Sequence, residues 1–151
     1  MPSDAPSTIL LRVNDIERRI FEELADVALT PGEFLEFEAN GNLGPEGTVG
    51  AGGLPMVCVE KPYIDPGIVT TKAIDTDWSV GESARYIIPQ RGDIVYAFLA
   101  AGQNVAKGAS LQGDGAGALQ ALAAGTVKGY AAEAVDNSGG GTRIRIKLIV
   151  A

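Results

Sequence analysis

The sequence contains no histidine, and this absence removes several kinds of chemistry. Histidine is the most frequent general base in enzymes and a common ligand of zinc. Without it, neither a Ser-His-Asp triad nor a Cys-His pair can be assembled. We therefore expect a protein that is not an enzyme, with no catalytic residue, no metal site and no bound cofactor.

Cysteine is almost absent as well, since Cys58 is the single one. It cannot form a disulfide within the chain. It lies in the apolar run of residues 54–59, which predicts a small side chain buried in the core. A reactive thiol would need positive neighbours, and Lys61 alone provides little.

Positive charge is scarce: 12 Lys and Arg stand against 19 Asp and Glu, a net charge of -7. A surface that binds phosphates needs clustered positive charge, so nucleic acid is excluded as an expected partner. The first residues lack the basic and apolar regions of a secretory signal, and no apolar run reaches the ~20 residues that span a bilayer. We expect no membrane partner and a soluble protein made in a cytoplasm.

The chain is rich in glycine, with 20 among 151 residues, about twice the usual ~7%. Glycine is favoured at tight turns, and here it separates short β-prone runs such as residues 33–38, 84–88 and 93–99. In the last run, residues 142–150, four apolar side chains share one face: Ile144, Ile146, Leu148 and Val150. The pattern predicts a mainly β fold, a small antiparallel barrel or sandwich with at most one or two short helices.

Some segments allow two interpretations. Residues 16–24 fit either a helical face or an imperfect strand. Residues 116–124 contain helix formers but are bracketed by Gly117 and Gly125, so a turn and strand are favoured there. Residues 62–82 lack a clear period and predict a long ordered loop with short strands.

The candidate binding residues lie at the N-terminus and in this loop. Residues 1–13 are predicted as an N-terminal arm, and residues 14–151 as a single β-rich domain. The arm carries an apolar run that could add as a strand to a sheet edge of a partner, or could be a strand of the domain's own sheet; its residues are Thr8, Ile9, Leu10, Leu11, Arg12 and Val13. Trp78, the only tryptophan, is either a buried anchor of its loop or an exposed contact for a partner.

One motif suggests a carrier domain. Residues 101–108, followed by Leu111, follow the Gly-x-x-Val-x-x-Gly corner of a barrel-sandwich half, which biotinyl and lipoyl carrier domains also contain. Lys72 and Lys128 are the candidates for modification, and neither has the flanking residues that such domains use. An enzyme or carrier function is therefore disfavoured.

An ordered series of segments carries a family resemblance. It comprises the turn at 29–32 with the strand 34–37, then residues 55–60, 63–65, 91–102, 105–111, the turn at 113–117, residues 131–135 and the final strand. In this order the chain resembles the capsid decoration, or cement, proteins of tailed phages. The series covers most of the chain and is densest between Arg91 and Leu111.

The resemblance implies a β-tulip-like fold and a homotrimer on the outer surface of the capsid, bound to the major capsid protein. The implied function is to stabilise the expanded shell of a virion. A virion attachment protein or a carbohydrate-binding β-module is the alternative. It would need exposed aromatic side chains along a groove, for which the candidates are Tyr63, Trp78, Tyr86, Tyr96 and Tyr130.

Overall fold

The computed structural model describes residues 5–12, 20–62 and 72–151. These residues form thirteen β-strands and one short 3-10 helix, Ala73–Asp75, with no α-helix among them. The strands are β1 (Leu10–Arg12), β2 (Ile20–Leu24), β3 (Phe34–Phe37), β4 (Leu43–Pro45), β5 (Met56–Cys58), β6 (Ser83–Ile87), β7 (Ile94–Leu99), β8 (Asn104–Val105), β9 (Ser110–Gly113), β10 (Leu119–Ala121), β11 (Gly129–Ala131), β12 (Val135–Asp136) and β13 (Ile144–Val150). The mainly β fold class predicted from the sequence is confirmed.

The C-terminal strands close into a five-stranded barrel, which we call the first barrel. Its order is β7-β10-β9-β11-β13, and β13 pairs back with β7 from Ile144↔Leu99 to Ile149↔Ile94. Strands β1 and β10 share the other edge of β7. The alternation predicted for the last strand is confirmed, because Ile146, Leu148 and Val150 are buried in this core.

Strands β8 and β12 pair in a separate two-stranded sheet. The other five strands form an antiparallel sheet in the order β2-β6-β5-β3-β4. Its two edges meet just after β2, where Ala25 bridges to Leu43 and Asp26 N donates to Leu43 O at 2.9 Å. The sheet therefore curls into a second, smaller barrel. Its core is Ala25, Leu29, Leu35, Leu43, Met56, Cys58, Trp78, Ala84 and Tyr86.

The Pro31-Gly32 turn joins the two barrels. Gly32 has a φ of 101°, and a Cβ at this position would lie 2.9 Å from Tyr96 O of the first barrel, so a glycine is required on both counts. Arg145 Nη1 donates to Pro31 O at 2.7 Å, and Arg143 pairs with Glu33 at 2.7 Å. These contacts hold the first turn of the second barrel against β13 of the first.

The two segments that allowed either a helix or a strand, residues 16–24 and 116–124, contain strands in their described parts. Residues 20–24 of the first segment form β2, while residues 16–19 lie outside the described residues. In the second segment, residues 119–121 form β10. Of the loop predicted at residues 62–82, the part between residues 72 and 82 carries only the 3-10 helix and the Leu29–Trp78 bridge, and residues 63–71 lie outside the described residues. No helix of the described chain is long and apolar enough to cross a membrane.

Candidate functional site

The described part of the predicted arm lies against the first barrel. Leu10 and Arg12 pair with β7, Tyr96 N donates to Ile9 O at 2.7 Å, and Ile9 is completely buried in the barrel core. Thr8 and Arg12 are exposed, whereas Leu10 and Leu11 are half-buried. Residues 9–12 therefore act as a strand of the domain's own sheet, the second of the two interpretations. Val13 and the predicted boundary after it lie outside the described residues.

Trp78 closes one end of the second barrel. Its backbone bridges to Leu29, its Nε1 donates to Val59 O at 2.8 Å, and only 6% of the residue is exposed. The ammonium of Lys61 lies 5.3 Å from the ring centroid. Trp78 is thus a buried anchor and offers almost no surface to a partner.

The N-terminal strand and Trp78 both contact one short segment, Val59 and Glu60. Ile9 N donates to Glu60 Oε2 at 3.1 Å, next to the Val59 carbonyl that accepts from Trp78. Thr8 and Leu10 line a cleft of about 410 Å³ together with Val59 and Glu60. These predicted residues therefore support the junction of the barrels more than they form an open docking surface.

The opposite end of the second barrel is open and aromatic. Phe21 at the start of β2 and Phe37 at the end of β3 are 43% and 49% exposed, and Tyr86 lies between them. The rings of Phe21 and Tyr86 stack with centroids 5.5 Å apart, and Phe37 meets Tyr86 edge-on at 6.1 Å. We call Phe21, Phe37 and Tyr86 the aromatic mouth.

Strand pairing explains why these rings converge. Phe21 lies opposite Tyr86 in the β2–β6 register, and Phe37 lies opposite Leu43 in the β3–β4 register. Leu43 and Tyr86 belong to the core of the second barrel, so all three rings are on its inner face. Because they lie at the strand ends, Phe21 and Phe37 are not covered by a further layer of the described residues.

The chain that forms the aromatic mouth is rich in acidic residues, three of which are paired with cations. From Ile20 to Glu60 it carries eight acidic residues and no Lys or Arg: Glu22, Glu23, Asp26, Glu33, Glu36, Glu38, Glu46 and Glu60. Glu22 pairs with Arg85, Glu33 with Arg143 and Glu46 with Lys128. Glu23 follows Phe21 by two residues on β2 and so faces the same side. Burial, and next the negative charge of Glu23, raise the pKa of the Tyr86 hydroxyl.

A pocket of about 270 Å³ adjoins the mouth beside Phe37. Its lining includes the buried Leu35 and Met56 and the 54% exposed Leu54, together with Glu36 and Glu46. Apolar surface therefore continues from the mouth along the end of the barrel. Among the described residues, no cluster of three or more His, Cys, Asp or Glu side chains could hold a metal ion.

Sequence reasoning did not single out Phe21 or Phe37. Both fall in segments assigned as strands or as ambiguous, where an aromatic residue is expected to be core. One signal was present in the sequence, namely the long stretch with acidic residues and no basic one. No protein-family model matches this chain, and no curated protein matches it.

Proposed function

We propose that this protein is a structural capsid decoration, or cement, protein. It binds the outside of a tailed-phage head as a homotrimer, contacts the major capsid protein and stabilises the expanded shell of the virion. The observation that carries the proposal is the exposed aromatic mouth on a closed barrel, a docking surface with no reactive group in it. The sequence resemblance supports the capsid as partner, and its densest part forms β7, β8 and the start of β9.

Stabilisation by such a protein is an effect of mass action. A protein that binds the expanded shell and not the unexpanded or disassembled form stabilises it by about 2.7 kcal/mol per site at a concentration 100 times Kd. The two barrels suit this role because their backbone is already ordered, so little conformational entropy is lost on binding. On this proposal the protein is not an enzyme and needs no cofactor.

Exposed aromatic side chains also favour the alternative, a virion attachment protein or carbohydrate-binding β-module. Of the five aromatic residues considered for it, Trp78 and Tyr86 are buried, and Tyr63 lies outside the described residues. Tyr96 is half-buried, and Tyr130 is 41% exposed. The two exposed rings of the aromatic mouth are phenylalanines, which lack a polar group for sugar hydroxyls. Binding to a glycan array would favour this alternative.

The proposal is tested by solution mass and by binding to heads. Light scattering of the purified protein should give the mass of three 15.6 kDa subunits. The protein should co-sediment with expanded heads that lack it and should not co-sediment with unexpanded heads. A monomer that leaves expanded heads unbound would show that the proposal is wrong.

A further inference from the structure

The aromatic mouth has the composition of a site for a positively charged side chain. We propose that it binds an arginine of a partner protein, inserted between Phe21 and Phe37 and flanked in the partner by apolar residues. The chemistry of this one contact does not depend on the partner being a capsid. The proposed function only supplies the identity of the protein that carries the arginine.

Ring geometry is the first reason. The stacked pair Phe21–Tyr86 has an interplanar angle of 26°, and Phe37 stands at 87° to Tyr86. Two ring orientations therefore meet at one opening. The faces of aromatic rings are electronegative and attract a guanidinium within about 6 Å, and arginine is used for this more often than lysine. Its planar group also stacks on rings, which an ammonium cannot do.

Charge is the second reason. The stretch from Ile20 to Glu60, which includes Phe21 and Phe37, carries eight acidic residues and no Lys or Arg, and three of the eight pair with cations elsewhere in the chain. Glu23 lies on the inner face beside Tyr86 and can accept hydrogen bonds from a guanidinium in addition to the contact with the rings. The same negative charge, within a net charge of -7, repels phosphate groups of nucleic acids and of anionic lipids. The complementary partner is therefore a basic segment of a protein.

The third reason is that the protein already holds two of its own arginines between an aromatic ring and a carboxylate. Arg143 and Arg145 lie over Phe98, with their guanidinium carbons 4.2 and 4.4 Å from its centroid. Each also pairs with a carboxylate, Arg143 with Glu33 at 2.7 Å and Arg145 with Asp75 at 3.4 Å. The aromatic mouth likewise combines rings with a carboxylate, that of Glu23, but the cation–π contacts found within the described chain do not involve its rings.

The apolar surface beside the aromatic mouth determines which residues should flank the partner's arginine. Leu54 and the pocket of about 270 Å³ beside Phe37 provide room for an aliphatic side chain. A segment with apolar residues next to its arginine would fill this pocket while its guanidinium lies between the rings. A uniformly basic segment would leave the pocket exposed.

The first test uses a capped Gly-Val-Arg-Val-Gly peptide and the same peptide with citrulline in place of arginine. Citrulline keeps the shape and removes the charge. In NMR titrations we expect the arginine peptide to shift the ring signals of Phe21, Phe37 and Tyr86, with an affinity about tenfold above that of the citrulline peptide. NaCl at about 1 M, where the Debye length is about 3 Å, should weaken the binding.

Two variants separate a cation site from an apolar contact. Phe37→Leu keeps apolar bulk and removes a ring, and should lower the affinity for the arginine peptide several-fold. Val80→Ser is the control, because Val80 is 68% exposed and is not part of the mouth. Equal binding of both peptides, unchanged binding by Phe37→Leu, or shifts confined to other residues would each overturn the proposal.

Heads provide the second test. If wild-type protein binds expanded heads, Phe37→Leu should bind them more weakly than Val80→Ser does. If wild-type protein does not bind heads, the proposed function fails, and the peptide titration still decides whether the mouth is an arginine site. The two proposals therefore fail separately.

Discussion

Lys128 and Glu46 form an ion pair inside the protein, and breaking it should be the most destabilising single change of charge. Lys128 Nζ lies 2.6 Å from Glu46 Oε2, and the two side chains are 3% and 4% exposed. The other carboxylate oxygen, Oε1, has no hydrogen-bond partner in the described structure. The substitution Lys128→Met keeps most of the aliphatic chain and removes the ammonium, so it leaves a buried carboxylate without its cation.

The expected cost follows from this burial. Removing one partner of a buried pair costs about 3–5 kcal/mol, because the remaining charge stays out of water without compensation. Replacing both, as in Glu46→Leu with Lys128→Met, should be neutral or should stabilise by about 1–4 kcal/mol, since buried pairs barely repay their desolvation. Arg85→Met is the matched control, because the Arg85–Glu22 pair is 36% and 51% exposed and should contribute no more than about 1 kcal/mol.

Urea unfolding followed by the fluorescence of Trp78 gives the free energy of unfolding for each variant. The expected order of stability is the double variant at or above wild type, Arg85→Met close to wild type, and Lys128→Met far below both. The reasoning would be refuted if Lys128→Met lost less than about 1 kcal/mol. It would also be refuted if the double variant were no more stable than Lys128→Met alone.

Three further predictions concern buried side chains. Ile9→Ala should lower the free energy of unfolding by about 2–5 kcal/mol in the same urea assay, because Ile9 is fully buried in the first barrel. A decrease below about 0.5 kcal/mol would mean that the N-terminal strand does not pack there. Trp78→Phe should lower the free energy of unfolding by about 1–3 kcal/mol, since it leaves the Val59 carbonyl without the indole N–H donor. An unchanged urea midpoint would count against that hydrogen bond. Burial raises the pKa of the Cys58 thiol well above its usual value, so the unfolded chain ionises first and stability should fall as pH rises above about 8.5. This decline should be smaller in Cys58→Ala, and native Cys58 should react with a thiol reagent only on unfolding.

Local patterns in the sequence were enough to predict strands of both barrels, namely residues 93–99 and 142–150 of the first and residues 33–38 and 84–88 of the second. The alternation of residues 142–150 is a period-2 signal, and it corresponds to β13 with Ile146, Leu148 and Val150 inside. The Pro31-Gly32 turn was also predictable, because its residues set the backbone angles themselves. In both cases the information lies within a few neighbouring residues.

The second barrel and its mouth depend on contacts between distant residues. Whether Phe21 is core or surface depends on the Ala25–Leu43 bridge, which curls the sheet and places both phenylalanines at an open end. The same holds for Ile9, whose apolar run fits equally a strand on β7 or a strand lent to a partner. The alternation of apolar residues in the sequence predicts which face of a strand a residue occupies. It does not predict which other residues cover that face.

Closure of the first barrel has a consequence for how the protein behaves at high concentration. An open sheet edge presents unpaired N–H and C=O groups and can recruit strands from other copies into aggregates. In the described chain β7 pairs back to β13, so the five strands of the first barrel offer no free edge to another copy. Many copies can therefore lie side by side without polymerising through the strands of this barrel.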